Sequence, residues 1–121
     1  MDVLVFNLRD ENLVLSRLRK AFPGIGFKKY DIQMELEDEG RRLIVIDTVK
    51  GIDRVMMLED LHLLSPGRAL EGSGAMITLR IMKSIGSIDS AKVIAVPENY
   101  PTADAIEEII PIIRELSEAE R

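Results

Sequence analysis

Val3, Leu4, Val5 and Phe6 make an unbroken apolar run at the start of the chain. Such a run fits a strand covered on both faces, the ordinary condition of a parallel strand. After Asp10 the period changes. Val14, Leu18, Ala21 and Phe22 return at three- and four-residue intervals, which predicts a helix that Asp10 caps and Pro23-Gly24 stops. Residues 26–30 predict a short second strand, and the acidic stretch 31–39 predicts a turn and helix. The strongest strand signal covers residues 43–49, where Leu43-Ile44-Val45-Ile46 precede Asp47; four consecutive aliphatic residues place this strand centrally in a sheet. Residues 54–58 predict another strand, either its antiparallel neighbour or a separate edge strand.

Residues 62–74 are rich in Ser, Pro and Gly and read as a long surface loop. Met76, Leu79, Met82 and Ile85 follow at three-residue spacing, joined by Ile77 and Ile81, so residues 75–85 predict a mostly buried helix ended by Gly86. Residues 92–96 predict a strand stopped by Pro97. Pro101-Thr102 then opens a final helix with Ile106, Ile109, Ile110, Ile113 and Leu116 on its inner face. Pro111 should kink it, because proline has no N–H for the Glu107 carbonyl.

Strands alternating with helices indicate an α/β fold: a mostly parallel twisted sheet, doubly wound, with helices on both faces. With 121 residues and 46% hydrophobic content, the chain suits a single domain spanning residues 1–121. In such sheets ligands bind outside the carboxyl ends of the strands. That rule selects residues 7–11, Asp47-Thr48 and Pro97-Glu98, with the long loop overhanging them.

Charge narrows the partners. Acids outnumber bases 21 to 16, for a net charge of -5, which opposes a nucleic-acid footprint. The basic clusters are short (Arg17, Arg19 and Lys20; Lys28 and Lys29; Arg41 and Arg42) and read as solvated edges. Cysteine is absent, which excludes disulfides, thiolate nucleophiles and Cys-ligated metals, so a metal site would use oxygen and imidazole ligands. His62 is the one histidine, so a multi-histidine site within one chain is excluded. The first residues carry no basic stretch and no long apolar run, and the expectation is a cytoplasmic protein with neither secretory signal nor membrane span.

Asp47 is the leading candidate for chemistry. A carboxylate at the end of an apolar strand is costly to desolvate unless a cation, a metal or hydrogen-bond donors meet it; a structural acid accepting backbone N–H groups is the plainer reading. Asp10-Glu11 open the first helix, where the helix dipole favours carboxylates, on the same sheet edge as Asp47. A capping role accounts for Asp10. His62 reads as a metal ligand, a general base or a polar residue at a loop start. Glu71-Gly72-Ser73-Gly74, with Arg68 near by, forms either an anion-binding nest or a flexible helix start. Neither this run nor Pro23-Gly24-Ile25-Gly26 satisfies a dinucleotide or phosphate-loop fingerprint. Met56, Met57, Met76 and Met82 occupy core-like positions.

Taken in order, the Asp-Glu after the first strand, the segment Leu43-Ile44-Val45-Ile46-Asp47-Thr48-Val49, the buried helix, and Val93-Ile94-Ala95-Val96-Pro97 resemble the hydrogenase maturation endopeptidases. That family removes a carboxyl-terminal extension from the large subunit of nickel-iron hydrogenases once nickel is in place. The resemblance implies a phosphorylase/hydrolase-like three-layer sandwich. It also implies that Glu11 and Asp47 are metal-contacting carboxylates engaging the nickel of the substrate precursor, or zinc or another divalent ion in its place. Asn7-Leu8-Arg9-Asp10-Glu11-Asn12 stands where the family carries a Gly-Asn loop leading to its first acid, and Phe6 and Asn12 occupy positions where glycine is usual. The family's third ligand is a histidine before the buried helix. Glu71 falls there in this chain, and His62 lies nine positions earlier, so either residue completes the set. The implied partner is a hydrogenase large-subunit precursor. The activity implied is its proteolytic processing, with a divergent, proteolytically inactive binding or assembly protein as the alternative.

Overall fold

The computed structural model describes residues 1–6, 8–29, 42–59, 79, 81–82 and 84–119. Among them the elements run β1 (Asp2–Phe6), α1 (Glu11–Ala21), β2 (Gly26–Lys29), β3 (Arg42–Val49), β4 (Met56–Leu58), β5 (Ser90–Pro97) and α2 (Thr102–Ala119). The strands form one sheet in the order β2-β1-β3-β5-β4. Pairings of β1 with β2, of β1 with β3 and of β3 with β5 are parallel, and only β4 runs antiparallel, against β5. The 43–49 strand is therefore central, as its aliphatic run requires. Residues 56–58 form an edge strand that pairs with β5 and not with β3. The acidic stretch 31–39 and the 62–74 loop lie outside the described residues.

Burial follows position in the sheet. On β3 and β5 nearly every side chain is buried, because neighbours flank both edges and packed side chains cover both faces. On the edge strand β2 only Phe27 is buried. Alternation along the strands sorts the core into two clusters. One holds Leu4, Leu43, Val45, Val49, Val93 and Ala95 together with the helical residues Leu79 and Met82. The other holds Val5, Ile44, Ile46, Ile94 and Val96 with the inner faces of both α1 and α2. Those two helices lie side by side on this second face.

Helix α1 buries Val14, Leu15 and Leu18, with Glu11 in its first turn and Arg19 and Lys20 in its last, a distribution that complements the helix dipole. Arg19 also donates to the Phe27 carbonyl at 2.8 Å, tying the helix to β2. Ala21, assigned to the apolar face by spacing, is exposed. Helix α2 buries Ala105, Ile109, Ile113 and Leu116 and continues through Pro111 as one element. Pro111 and Glu107 are both exposed, so the carbonyl that loses its proline partner faces water.

Leu79, Ile81, Met82 and Ser84 are helical, and the helix closes where expected. Gly86 takes a φ of 81°, and Ser87 N–H reaches back to the Met82 carbonyl at 2.9 Å, the hydrogen bond of a glycine-ended helix. The expectation of a mostly buried helix holds for only part of its described residues. Leu79 and Met82 are buried, but Ile81 is 56% and Ile85 69% exposed. Ile81 sits about 200° round the helix from Leu79, on a different face, and Ile85, although in the three-residue series, lies in the turn that follows Ser84.

Candidate functional site

The carboxyl ends of β1, β3 and β5 lie side by side, and the connections leaving β1 and β3 part there. After β1 the chain turns to β2 on one side; after β3 it moves to the β5 and β4 side. A crevice forms where outgoing connections diverge in this way, which makes the β1/β3 boundary the expected ligand position. In register at that boundary stand Phe6, Asp47 and Ala95, and one step further along β3 Thr48 pairs with Val96.

Asp47 has the side-chain parity of Leu43, Val45 and Val49, and its register neighbours Phe6 and Ala95 belong to the same cluster. It is the one buried polar residue among those described, with 0% exposure. Asp47 is not without a partner, although among the described residues its Oδ1 meets no hydrogen-bond donor. Removing an ion from water costs several kcal/mol when compensation is incomplete. The fold thus holds a carboxyl group at a position where an aliphatic side chain would pack at no such cost.

Thr48 points the other way. With Val96 it borders a cavity of about 360 Å³ on the face carrying α1 and α2. Val14, Val96 and Ala105 supply apolar wall, while Arg9, Glu98, Tyr100 and Thr102 bring charge, hydroxyls and an aromatic ring. Two connections shape its rim. Pro97, Glu98, Asn99 and Tyr100 form a turn closed by Tyr100 N–H to the Pro97 carbonyl at 3.3 Å, with Asn99 at a φ of 61°, the residue type besides glycine best suited to that position. Asp10 takes a φ of 52°.

Asp10 is not the side-chain cap that its place in the sequence suggests. It occupies the N-cap position without a side-chain capping hydrogen bond, and its carbonyl alone begins the helix, accepting from Val14 N–H at 3.1 Å. Its carboxylate instead accepts the Thr102 hydroxyl at 2.8 Å, across 92 residues of sequence. The left-handed backbone turns the side chain away from the N–H groups of α1 and towards the start of α2. That single contact joins the openings of both helices at the cavity rim.

Glu11, the other expected carboxylate, is 16% exposed and pairs with Lys29 at 3.3 Å. This draws it towards the end of β2, on the face of α1, whereas Asp47 faces the opposite cluster. Lys29 thus supplies the positive charge that Glu11 meets in this structure. His62 and Glu71 lie outside the described residues, as do Arg68 and the Gly72-Ser73-Gly74 run. Among the described residues no three His, Asp or Glu side chains gather as a metal site.

Tyr100 was not singled out by the sequence. Its hydroxyl donates to Glu108 Oε2, and the phenol is pushed up to about 12, first by that hydrogen bond, then by burial and by the negative charges of Glu108, Asp104 and Asp53. Its position between a strand-ending proline and a helix-opening Pro101-Thr102, on the ligand edge of the sheet, was the available signal. No family model matches the chain, and neither a curated protein nor a solved structure matches it.

Proposed function

We propose that this protein is of the hydrogenase maturation endopeptidase type, acting on the carboxyl-terminal extension of a nickel-iron hydrogenase large-subunit precursor in the cytoplasm. The observation that carries the reading is the buried Asp47 carboxylate at the carboxyl end of the central strand, beside the point where the connections of β1 and β3 diverge. In this reading Asp47 meets the nickel that the precursor already carries, and Glu11, once it leaves Lys29, completes the contact together with either His62 or Glu71. Zinc or another divalent ion in its place is the alternative occupant of that donor set. A metal so placed polarises a peptide carbonyl or activates water; the protein's own contribution is to fix where the scissile peptide lies. The segment containing Leu79 and Met82 supplies the third layer of a phosphorylase/hydrolase-like sandwich.

A second reading draws on the Lys29–Glu11 ion pair. With Glu11 engaged at 3.3 Å, the carboxylate set is incomplete until Lys29 moves, and a protein that holds the precursor without cutting it follows. Incubation with the nickel-loaded, unprocessed large subunit separates the two. Mass-spectrometric loss of the extension, dependent on nickel, supports the peptidase; a stable complex without truncation supports the assembly role. Neither truncation nor complex formation rejects both.

A further inference from the structure

We propose that the cavity beside Thr48 is a peptide subsite that takes one apolar side chain of an extended segment crossing the strand ends. The proposal deepens the peptidase reading and rests on it for the identity of the natural peptide. Three observations define the ligand. The wall formed by Val14, Val96 and Ala105 is apolar, and the cavity measures about 360 Å³, room enough for an aliphatic side chain and adjoining main chain. Asn99 at its border carries an amide of the kind that pairs with peptide N–H and C=O, and the Thr102 hydroxyl, whose proton goes to Asp10, still accepts from a peptide N–H. Arg9 follows β1 and Glu98 follows β5, so opposite charges flank the end of β3. That pattern suits a neutral peptide and disfavours a ligand of one sign, such as a phosphate.

The location gives the subsite its use. Thr48 adjoins Asp47, and alternation sends their side chains to opposite faces. An extended peptide that passes over the end of β3 therefore meets the cavity with one residue and the Asp47 side within the next few. The rim is held in shape from both sides, by the Thr102–Asp10 hydrogen bond and by the turn through Asn99. Both left-handed non-glycine residues among those described adjoin this cavity or its rim. Backbone held in that region by non-glycine residues is strained and concentrates where ligands are clamped.

The test uses the whole chain and short capped Gly/Ser peptides with a single central Leu, Ala or Glu, titrated by NMR. The Leu peptide is expected to bind about tenfold more tightly than the Ala peptide, shifting the amides of Thr48, Val96 and Ala105, and the Ala105→Met variant should lose that preference. Equal affinity for Leu and Ala, no binding of any peptide, or shifts centred on Arg42 and Ser90 at the opposite sheet edge would overturn the subsite. Varying the peptide keeps the test valid even where Ala105→Met fails to fold. Processing of the nickel-loaded precursor is assayed separately. Leu-selective binding without processing leaves the subsite standing and removes the peptidase reading, whereas processing without Leu selectivity does the reverse.

Discussion

Asp47 and Thr48 are consecutive residues with opposite surroundings. Asp47 faces the cluster of Leu43, Val45 and Val49 and has no exposure; Thr48 faces the α1 and α2 side and opens on a cavity. One peptide step at the end of a central strand thus divides the sheet edge into a side with a sequestered carboxylate and a side with room for a ligand. A carboxylate held from water interacts more strongly with any charge that reaches it. A cavity with an aliphatic wall selects shape instead. Chemistry and recognition are assigned to the two sides accordingly.

The largest expected effect concerns the ground on which the cavity side stands. Ile113 is fully buried on α2, and Ile113→Ala should destabilise the protein by about 2–5 kcal/mol in urea unfolding. By contrast, Ile81→Ala should change stability by less than about 0.5 kcal/mol, because Ile81 is exposed. Comparable losses at the two positions would break the assignment of faces. Next comes the rim. Thr102→Val removes the hydrogen bond to Asp10 and should cost about 0.5–1.5 kcal/mol, with amide shifts at the start of α1 as well as α2; shifts confined to α2 would mean that the tie does not couple the helices.

Smaller still is the Lys29–Glu11 pair, of which only the lysine is exposed. Lys29→Met should cost less than about 1 kcal/mol, while freeing Glu11 and raising affinity for a divalent ion measured by calorimetry. Unchanged affinity would separate Glu11 from the proposed metal contact. The last effect is one of pH. Folding raises the Tyr100 phenol above its ordinary value of 10.0 to about 12, so the proton is held more tightly in the folded state. Its stabilising contribution is complete below about pH 10 and fades as pH rises towards 12. Ultraviolet titration should show a tyrosinate step near pH 12 that Tyr100→Phe abolishes; a wild-type curve complete near pH 10 would mean that the Glu108 contact is not kept in solution.

Much of this architecture was legible in the sequence because the central strands are apolar on both faces. The runs at Val3–Phe6, Leu43–Ile46 and Val93–Val96 required parallel strands, and the isoleucine spacing of α2 marked its inner face. The same feature hid the division at Asp47 and Thr48. With Leu43, Ile44, Val45 and Ile46 all apolar, no polar alternation marks which face carries which helices, so parity could not be assigned. The pairing of β4 with β5 depends on contacts distant in sequence, and a short strand carries no signal of its partner. Asp10 misled for a similar reason: local rules favour a cap, and the contact with Thr102 that replaces it comes from the far end of the chain.

The account rests most directly on Asp47, and the proposed peptidase role is measured by the rate at which wild type and Asp47→Asn process the nickel-loaded precursor, normalised to folded protein by circular dichroism. Asparagine keeps the shape and removes the charge. The predicted result is a loss of at least about a hundredfold, the scale of removing one electrostatic contact at a reacting centre, with the fold retained. Processing at the wild-type rate would contradict it, and would make the buried carboxylate a feature of the core and not of the function.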